Sequence, residues 1–487
     1  MGLVSGIKNI LSAGASSAMS EADFLEAEIE RWRASSIRQD QIAGERYYMG
    51  MHDILERTRT AIGAAGSVVE VTNIPNNRIV DNQYALRVDQ KTNYLVGKPF
   101  TLKSDDDALA LKLKGVFNKA FHRKLKTICN YCLNGGIGYL FLYYSEGELS
   151  FKIFPAYEIL PFWSDREHTR LDSFVRMYPV EVYEGKSLKR IDKVEYYTLD
   201  GVKYYEIKDR KLRADSEKPE ISPYMQADIE GEVKAFNWER IPLIPFRYNE
   251  SEIPLINKVK SLQDGINLML STFQNNMEED SRNTILVLVN YEGENLGEFR
   301  RNLATYGAIK VANRTDRTGG DVKTLQVEVN SENYKAILTL FKKALIENAK
   351  GFDSKDERLM GTPNEMNIQS IYNDIDLDAN GMETEFQAAF EDLLWFVDAH
   401  FANTGQGGLV PSDVEIIFNR DALINKSTLI DNLVKSEGLL SKKTLLSHHP
   451  LVNDVEEEMK RIAEEGAEVE GENKEDEKEV EKGDGVE

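Results

Sequence analysis

The stretch from Pro254 to Asp280 constrains the fold more than any other part of the chain. Leu255, Val259, Leu262, Ile266, Met269, Phe273 and Met277 recur at spacings of three and four, as on one face of an α-helix. Pro254 suits the first turn, where a backbone N–H would lack a partner anyway. The spacing predicts one helix over residues 254–280, roughly 40 Å long at the usual rise. A second amphipathic helix is predicted over Ser331–Lys350, with Tyr334, Ile337, Leu338, Phe341 and Leu345 along one face. Residues 281–330 between them read as a compact α/β insert. It has a strand in "TILVLVNY", a helix in "NLGEFRRNLATYG", a strand in "AIKVA", a Gly319-Gly320 turn and an alternating strand in "VKTLQVEV". The two helices and the insert make a stalk with a head, and Leu262, Ile266, Phe273, Ile337 and Phe341 are expected to pack the stalk together.

The flanking regions follow from the same periodicities. "GFDSKDERLMGTPNEMN" (351–367) is polar, carries both signs of charge and has no period, so it reads as a loop. A long helix is predicted over 368–401, with Phe386, Phe390, Leu393, Leu394, Val397 and Phe401 on one stripe and Gly381 as a kink point. A short strand in "VEIIFNR" and two small helices in "STLIDNLVKSEG" and "SKKTLLSHH" come next. On the N-terminal side, Phe24, Leu25, Ile29 and Trp32 mark an amphipathic helix over Glu21–Ser35. "YALRVDQKTNYLVG" is a second helix, stopped by Gly97-Lys98-Pro99, and Leu111–Cys132 is largely helical. A β-rich region spans Tyr139–Tyr248. It contains a hairpin about Glu146-Gly147 and another about Asp200-Gly201, a type I′ signal.

Composition narrows the function classes. A chain of 487 residues with 41% hydrophobic content can build two or three domains with real cores. No apolar run is long enough to span a bilayer, and Lys8 and Asn9 interrupt any signal-peptide core. Gly6 stands where a myristoylation motif wants Ser or Thr, so the expected compartment is a reducing cytoplasm, without a membrane partner. The formal net charge is −22, of which −10 lies in residues 456–487 (fifteen acidic against five basic), a flexible acidic tail. Such acidity argues against a basic surface that wraps nucleic acid, but not against a surface that lets DNA slide past.

Cys129 and Cys132 are the only cysteines and form a C-x-x-C. A dithiol redox motif usually opens a helix in a βαβ setting, whereas this pair lies late in a helical stretch before "NGGIG". Zinc would need two further ligands, and no cysteine remains to supply them. The two thiols are read as core, the rival being a redox enzyme that alkylation would inactivate. "DLDANG" from Asp376 matches the first six positions of a calcium loop, but Gln387 stands where a bidentate Glu belongs. The alternative there is an acidic helix face. His448-His449 before Pro450 reads as a helix end. Phosphate-loop, nucleophile-elbow and H-E-x-x-H motifs are missing, so no catalytic residue, metal or cofactor is expected.

Four blocks carry a resemblance. "RYYMGMHDILER" (Arg46–Arg57), "NNRIVDNQYALRVDQKTNYLVGKPF" (Asn76–Phe100), "GYLFLYYSEGELSFKIFPAYEILPFW" (Gly138–Trp163) and "IPLIPFRYNESEIPLINKVKSLQDGINLMLSTFQNNMEE" occur in the order seen in portal proteins of long-tailed bacteriophages. The chain resembles that family, as found in phages and prophages of Gram-positive bacteria, from about Glu21 to His449. The resemblance implies an α+β, mainly helical portal fold and a ring of about twelve subunits enclosing a central channel. It maps 1–45 to an N-terminal helical arm, 46–253 to the wing, 254–280 and 331–350 to the stem and 281–330 to the clip. It further maps 351–367 to a tunnel loop, 368–401 to a long kinked wing helix, 402–455 to the crown and 456–487 to the acidic tail. Lys355, Arg358, Asn364 and Asn367 are then the expected DNA-channel residues, the alternative for Lys355 and Arg358 being a surface loop paired with Asp353, Asp356 and Glu357. The implied partners are double-stranded DNA, the terminase large subunit, scaffold and major capsid proteins, and a head-completion or connector protein. The implied location is the portal vertex of a capsid assembled in the host cytoplasm. A capsid-associated binding protein without a channel is the other non-enzymatic reading.

Overall fold

The computed structural model describes residues 19–62, 67–72, 74–104, 106–229, 232–280, 285–289, 321–325, 331–356, 365–420, 426–449, 451–452, 455 and 458–463. The chain divides into two units, Met1–Gly351 with Leu377–Arg420, and Phe352–Asp376 with Asp421–Glu487.

Local chemistry starts each helix of the N-terminal region. Ser20 accepts the N–H of Asp23 and opens Glu21–Arg33, and Ser35 accepts the N–H of Arg38 and opens Ser36–Tyr48. Asn82, Asp106 and Asn118 do the same for Gln83–Val96, Asp107–Val116 and Lys119–Gly135. The predicted helix over Leu111–Cys132 is therefore two helices, because Asn118 Oδ1 accepts the Ala120 and Phe121 N–H groups and starts a new one. Lys119–Gly135 ends at Gly136, whose φ of +78° and closeness to the Glu252 carbonyl exclude a side chain.

Period-two alternation then builds two antiparallel sheets. One has the order Lys211–Ala214, Gly201–Lys208, Ser187–Thr198, Leu171–Glu184, Ile159–Trp163; the other has Leu243–Arg247, Ile137–Ser145, Glu148–Pro155. Tyr139, Phe141, Phe154 and Leu243 point from the smaller sheet into a core shared with Phe174, Tyr197 and Val202 of the larger. The Phe174 and Tyr197 rings stack there at 4.3 Å. The far face of the larger sheet, through Val175, Met177, Val194 and Tyr196, buries Leu25 and Ile29 of the first helix. On the far face of the smaller sheet Phe246 meets Phe386 and Phe390 of the long helix at 5.1 and 5.8 Å. The order is helix, sheet, sheet, helix.

The Glu146-Gly147 hairpin forms as predicted, with Ser145 opposite Glu148. The second hairpin turns one residue earlier than the Asp-Gly signal implies. Thr198 pairs with Gly201, so Leu199-Asp200 make the turn, and Gly201 (φ +132°) lets the Ser222 carbonyl approach where a Cβ would stand 2.3 Å away. In the insert, Ile285–Val289 pairs antiparallel with Asp321–Leu325. The helix predicted in "NLGEFRRNLATYG" and the strand in "AIKVA" lie outside the described residues.

The long helix runs Glu365–Asn403 and continues through Gly381, whose absent Cβ would meet open space. Asp376–Gln387 is therefore helix and not a calcium loop, which needs its sixth residue to turn the chain sharply. The 402–455 stretch is split between the units. Glu415–Ile417 pairs with Thr101–Lys103 in the larger one, and Lys426–Lys435 and Lys442–Ser447 belong to the smaller. His448 caps the end of the latter helix, as expected of a helix end. Of the acidic tail only 458–463 is described. Among the described residues no helix is long and apolar enough to cross a membrane.

Cys129 and Cys132 are fully buried free thiols. Burial pushes Cys129 up to about 12 and Cys132 well above its ordinary range, and Cys132 donates to the Phe246 carbonyl at 3.1 Å. Burial thus disfavours the thiolate form at both positions.

Candidate functional site

The two long helices run Ile256–Asp280 and Ser331–Asn348. They meet where Gly265 leaves room for Phe341, since a Cβ there would lie 2.9 Å from the Phe341 ring. Nearer the insert, Phe273 and Tyr334 meet at 5.1 Å, and Asn276 Nδ2 donates to the Tyr334 hydroxyl at 3.1 Å. Of the expected packing residues, Ile266 is fully buried, while Leu262, Phe273 and Phe341 are half-buried. Ile337 remains 40% exposed, and Leu268, Met277 and Leu340 are exposed as well.

The buried face of Ile256–Asp280 is mostly polar. Gln263, Asn267, Ser271 and Asn275, four residues apart, are each fully buried. An extended segment before Gln83–Val96 runs antiparallel along them. Asn275 Oδ1 accepts the N–H of Asn77 at 2.7 Å, Ser271 Oγ that of Ile79 at 2.9 Å and Asn267 Oδ1 that of Asp81 at 3.0 Å. Gln263 Oε1 accepts the Tyr84 N–H at 2.9 Å, one of the orphan donors at that helix's start, while its Nε2 donates to the Asp81 carbonyl at 2.8 Å. The match is geometric: four helical residues rise about 6.0 Å and two extended residues advance about 6.6 Å. One helix face thus serves alternate N–H groups much as a neighbouring strand would.

This ladder continues into a charged knot. Asn267 Nδ2 donates to His52 Nδ1 at 2.8 Å, and His52 Nε2 donates to the Tyr47 carbonyl at 3.0 Å while its ring stacks on Tyr47 at 4.4 Å. Tyr47 donates to Asp264 at 2.5 Å, and Lys260 bridges Asp264 and Asp53 at 2.7 and 2.6 Å. Burial lowers the His52 pKa and keeps the ring neutral. For Asp53 burial works the other way, but Lys260 and Arg46 win and hold it at about 2.

At the other end, the loop region begins from Lys350, which has φ +48°, and Gly351. Lys91 Nζ lies 2.7 Å from Asp378 Oδ2, with the two side chains 4% and 10% exposed, and donates to the Lys350 carbonyl at 3.1 Å. In the smaller unit, Asp353 Oδ1 accepts the Lys355 N–H at 2.9 Å and Phe352 stacks on Tyr372 at 4.4 Å. Lys355 is exposed. Asn367, expected in the loop, is already helical, and Arg358 and Asn364 lie outside the described residues. Sequence reading missed both the polar ladder and the Lys91–Asp378 pair. The signal for the first was present as Gln, Asn, Ser and Asn at four-residue spacing opposite the apolar stripe.

Comparison with known proteins places this architecture. The family described as phage portal protein, SPP1 Gp6-like, matches residues 35–472. The portal protein of Bacillus phage SPP1 is 32% identical over 428 residues, which is 87% of this chain and 83% of that one. The portal protein of Clostridium phage phiCD119 is 26% identical over 463 residues, 90% of this chain and 96% of that one. Among solved structures, a chain from the neck of an empty gene transfer agent particle aligns with 91% of this chain and 97% of its own, at a TM-score of 0.43 and 11% identity. With the family matched over most of its length and a relative at 32% identity, the chain belongs to the SPP1 Gp6-like family of phage portal proteins.

Proposed function

We propose that the protein forms a ring of about twelve copies at one capsid vertex and encloses the channel for genome packaging, retention and ejection. The observation that carries this reading is the family match over residues 35–472. The Ile256–Asp280 and Ser331–Asn348 helices act as the stem, 281–330 as the clip, 1–45 as an N-terminal arm, 46–253 with the long helix as the wing, and 402–455 as the crown. The exposed Leu268, Met277, Ile337 and Leu340 support it, because a ring would cover them with a neighbouring copy. Residues 351–367 line the channel, with Lys355 and Arg358 meeting passing DNA. The family is structural rather than catalytic, so the motor is a separate terminase large subunit that docks on the ring. Scaffold, major capsid and head-completion or connector proteins complete the vertex, and assembly takes place in the host cytoplasm.

Electron microscopy of the purified protein tests the ring: annuli with a central hole are expected. Native mass measurement should give roughly 660 kDa, twelve times the 55.3 kDa chain. A stable monomer at high concentration, or a two-fold dimer, would refute the head-to-tail contact.

A further inference from the structure

Five segments of the larger unit bring charged or phenolic groups to one point. Asp378 Oδ2 lies 2.7 Å from Lys91 Nζ and accepts the Tyr248 hydroxyl at 2.8 Å. Asp378 Oδ1 faces Lys350 Nζ at 3.4 Å. Lys258 Nζ sits over the Tyr248 ring, 5.0 Å from its centroid. Three ammonium groups therefore surround one carboxylate and leave a local excess of two positive charges, in a chain whose formal net charge is −22.

The three lysines are not equivalent. Lys91 is buried, and its bonds to Asp378 and the Lys350 carbonyl point inward, so Lys91 and Asp378 form a neutral interior pair. The Lys350 side chain is 52% exposed, and Lys258 is exposed too. Desolvation lowers the Lys258 pKa, the charge of Asp378 opposes it, and Lys350 adds a smaller push in the same direction as desolvation. One carboxylate shared among three ammonium groups leaves room for a second anion beside the two exposed lysines.

We propose that Lys258 and Lys350 bind a phosphate of the DNA backbone, with Asp378 and Tyr248 fixing where the two ammonium groups stand. The inference rests on the channel reading above. A phosphodiester carries one charge and two free oxygens, one for each ammonium. Lysines act as point charges without the fork that would demand a single orientation, so successive phosphates of a moving duplex can be exchanged. Because Asp378 already offsets part of the Lys350 charge, each contact is shallow and does not arrest the duplex.

The test uses assembled rings of the parent, of Lys258→Gln/Lys350→Gln, and of Lys335→Gln/Lys343→Gln, which removes two exposed lysines outside the cluster. A short fluorescent duplex is titrated against each across a salt series, with ring integrity followed by native mass. The first variant should bind several-fold more weakly and with a flatter salt dependence, losing about 0.9 in slope per phosphate contact, while the control matches the parent. If the control loses as much, or if the first variant matches the parent, the site is overturned and the channel stands. Parent rings that bind no duplex overturn both. Inorganic phosphate, added at constant ionic strength, separates the sources. If the cluster variant abolishes phosphate competition yet leaves duplex affinity unchanged, the site is a free-anion site and the DNA assignment falls. Should the double variant not form rings, Lys258→Gln alone is read in the same way, since Lys258 makes no bond to Asp378.

Discussion

Ser271 Oγ accepts the backbone N–H of Ile79 at 2.9 Å, joining a helix to an extended segment 192 residues earlier in the chain. Replacing Ser271 by Ala leaves that N–H without its acceptor in a dry site. The expected loss is about 1–3 kcal/mol in chemical denaturation. Asn267→Ala should cost more, because Asn267 also holds Gln263 and His52. A Ser271→Ala protein as stable as its parent would show that the segment is held by other contacts.

The same network fixes a pH response. Asn267 Oδ1 is occupied by the Asp81 N–H and by Gln263, so its amide nitrogen faces His52 Nδ1 and that ring atom must accept. Protonation would set one N–H against another. With the folded pKa depressed below the ordinary 6.5, the stability from this group is complete above about pH 6.5. It is lost as pH falls from there through the folded pKa. Burial depresses His400 and His122 in the same direction. Unfolding measured between pH 5 and 7 should show stability declining with acid, and His52→Gln should flatten that decline; an unchanged slope would mean that His52 does not titrate on unfolding.

Gly44 marks a contact that tolerates no side chain. A Cβ there would lie 2.0 Å from the Asn134 carbonyl oxygen, which is backbone and cannot rotate away. Gly44→Ala must separate Ser36–Tyr48 from Lys119–Gly135, at an expected cost of about 1–3 kcal/mol or more. A thermal shift assay reads this directly, and Gly115→Ala, where nothing stands within 4 Å, is the control.

Breaking the Lys91–Asp378 pair from one side should be severe. Lys91→Met or Asp378→Asn leaves a buried group uncompensated, with an expected loss of about 3–5 kcal/mol. Lys91→Met/Asp378→Leu removes both charges and should recover most of it. Denaturant midpoints for the three variants decide the matter, and additive losses would contradict a coupled pair.

If 351–367 governs DNA passage, Lys355→Ala/Arg358→Ala should leave rings intact and change the rate or completeness of packaging. Added lysines at Asn364 and Asn367 should slow it, by deepening the attraction for each phosphate. Packaged DNA length against time in a reconstituted motor system checks both; parental behaviour from intact rings would remove this segment from the channel.

What could be read from residues alone was what repeats. The two long helices and the hairpins announce themselves through spacings of three and four or of two. The buried face of Ile256–Asp280 could not be read this way. Gln263, Asn267, Ser271 and Asn275 look like a solvated stripe, and only their partners some 190 residues away make them interior. Along the apolar stripe, Met277 and Ile337 are exposed in the single chain. Asp200-Gly201 missed its register by one because Gly201 serves the approach of Ser222. Lys91 and Asp378 stand 287 positions apart, and a lysine among helix-surface residues carries no mark of burial.

The sealed positions of Cys129 and Cys132 give the chain a silent background for thiol labelling. They are the only cysteines present, and neither offers a thiolate to a maleimide while the fold holds. Lys355→Cys would then carry the single reactive sulfur of each subunit. A fluorophore attached there reports on that loop in an intact assembly, against the unmodified native core.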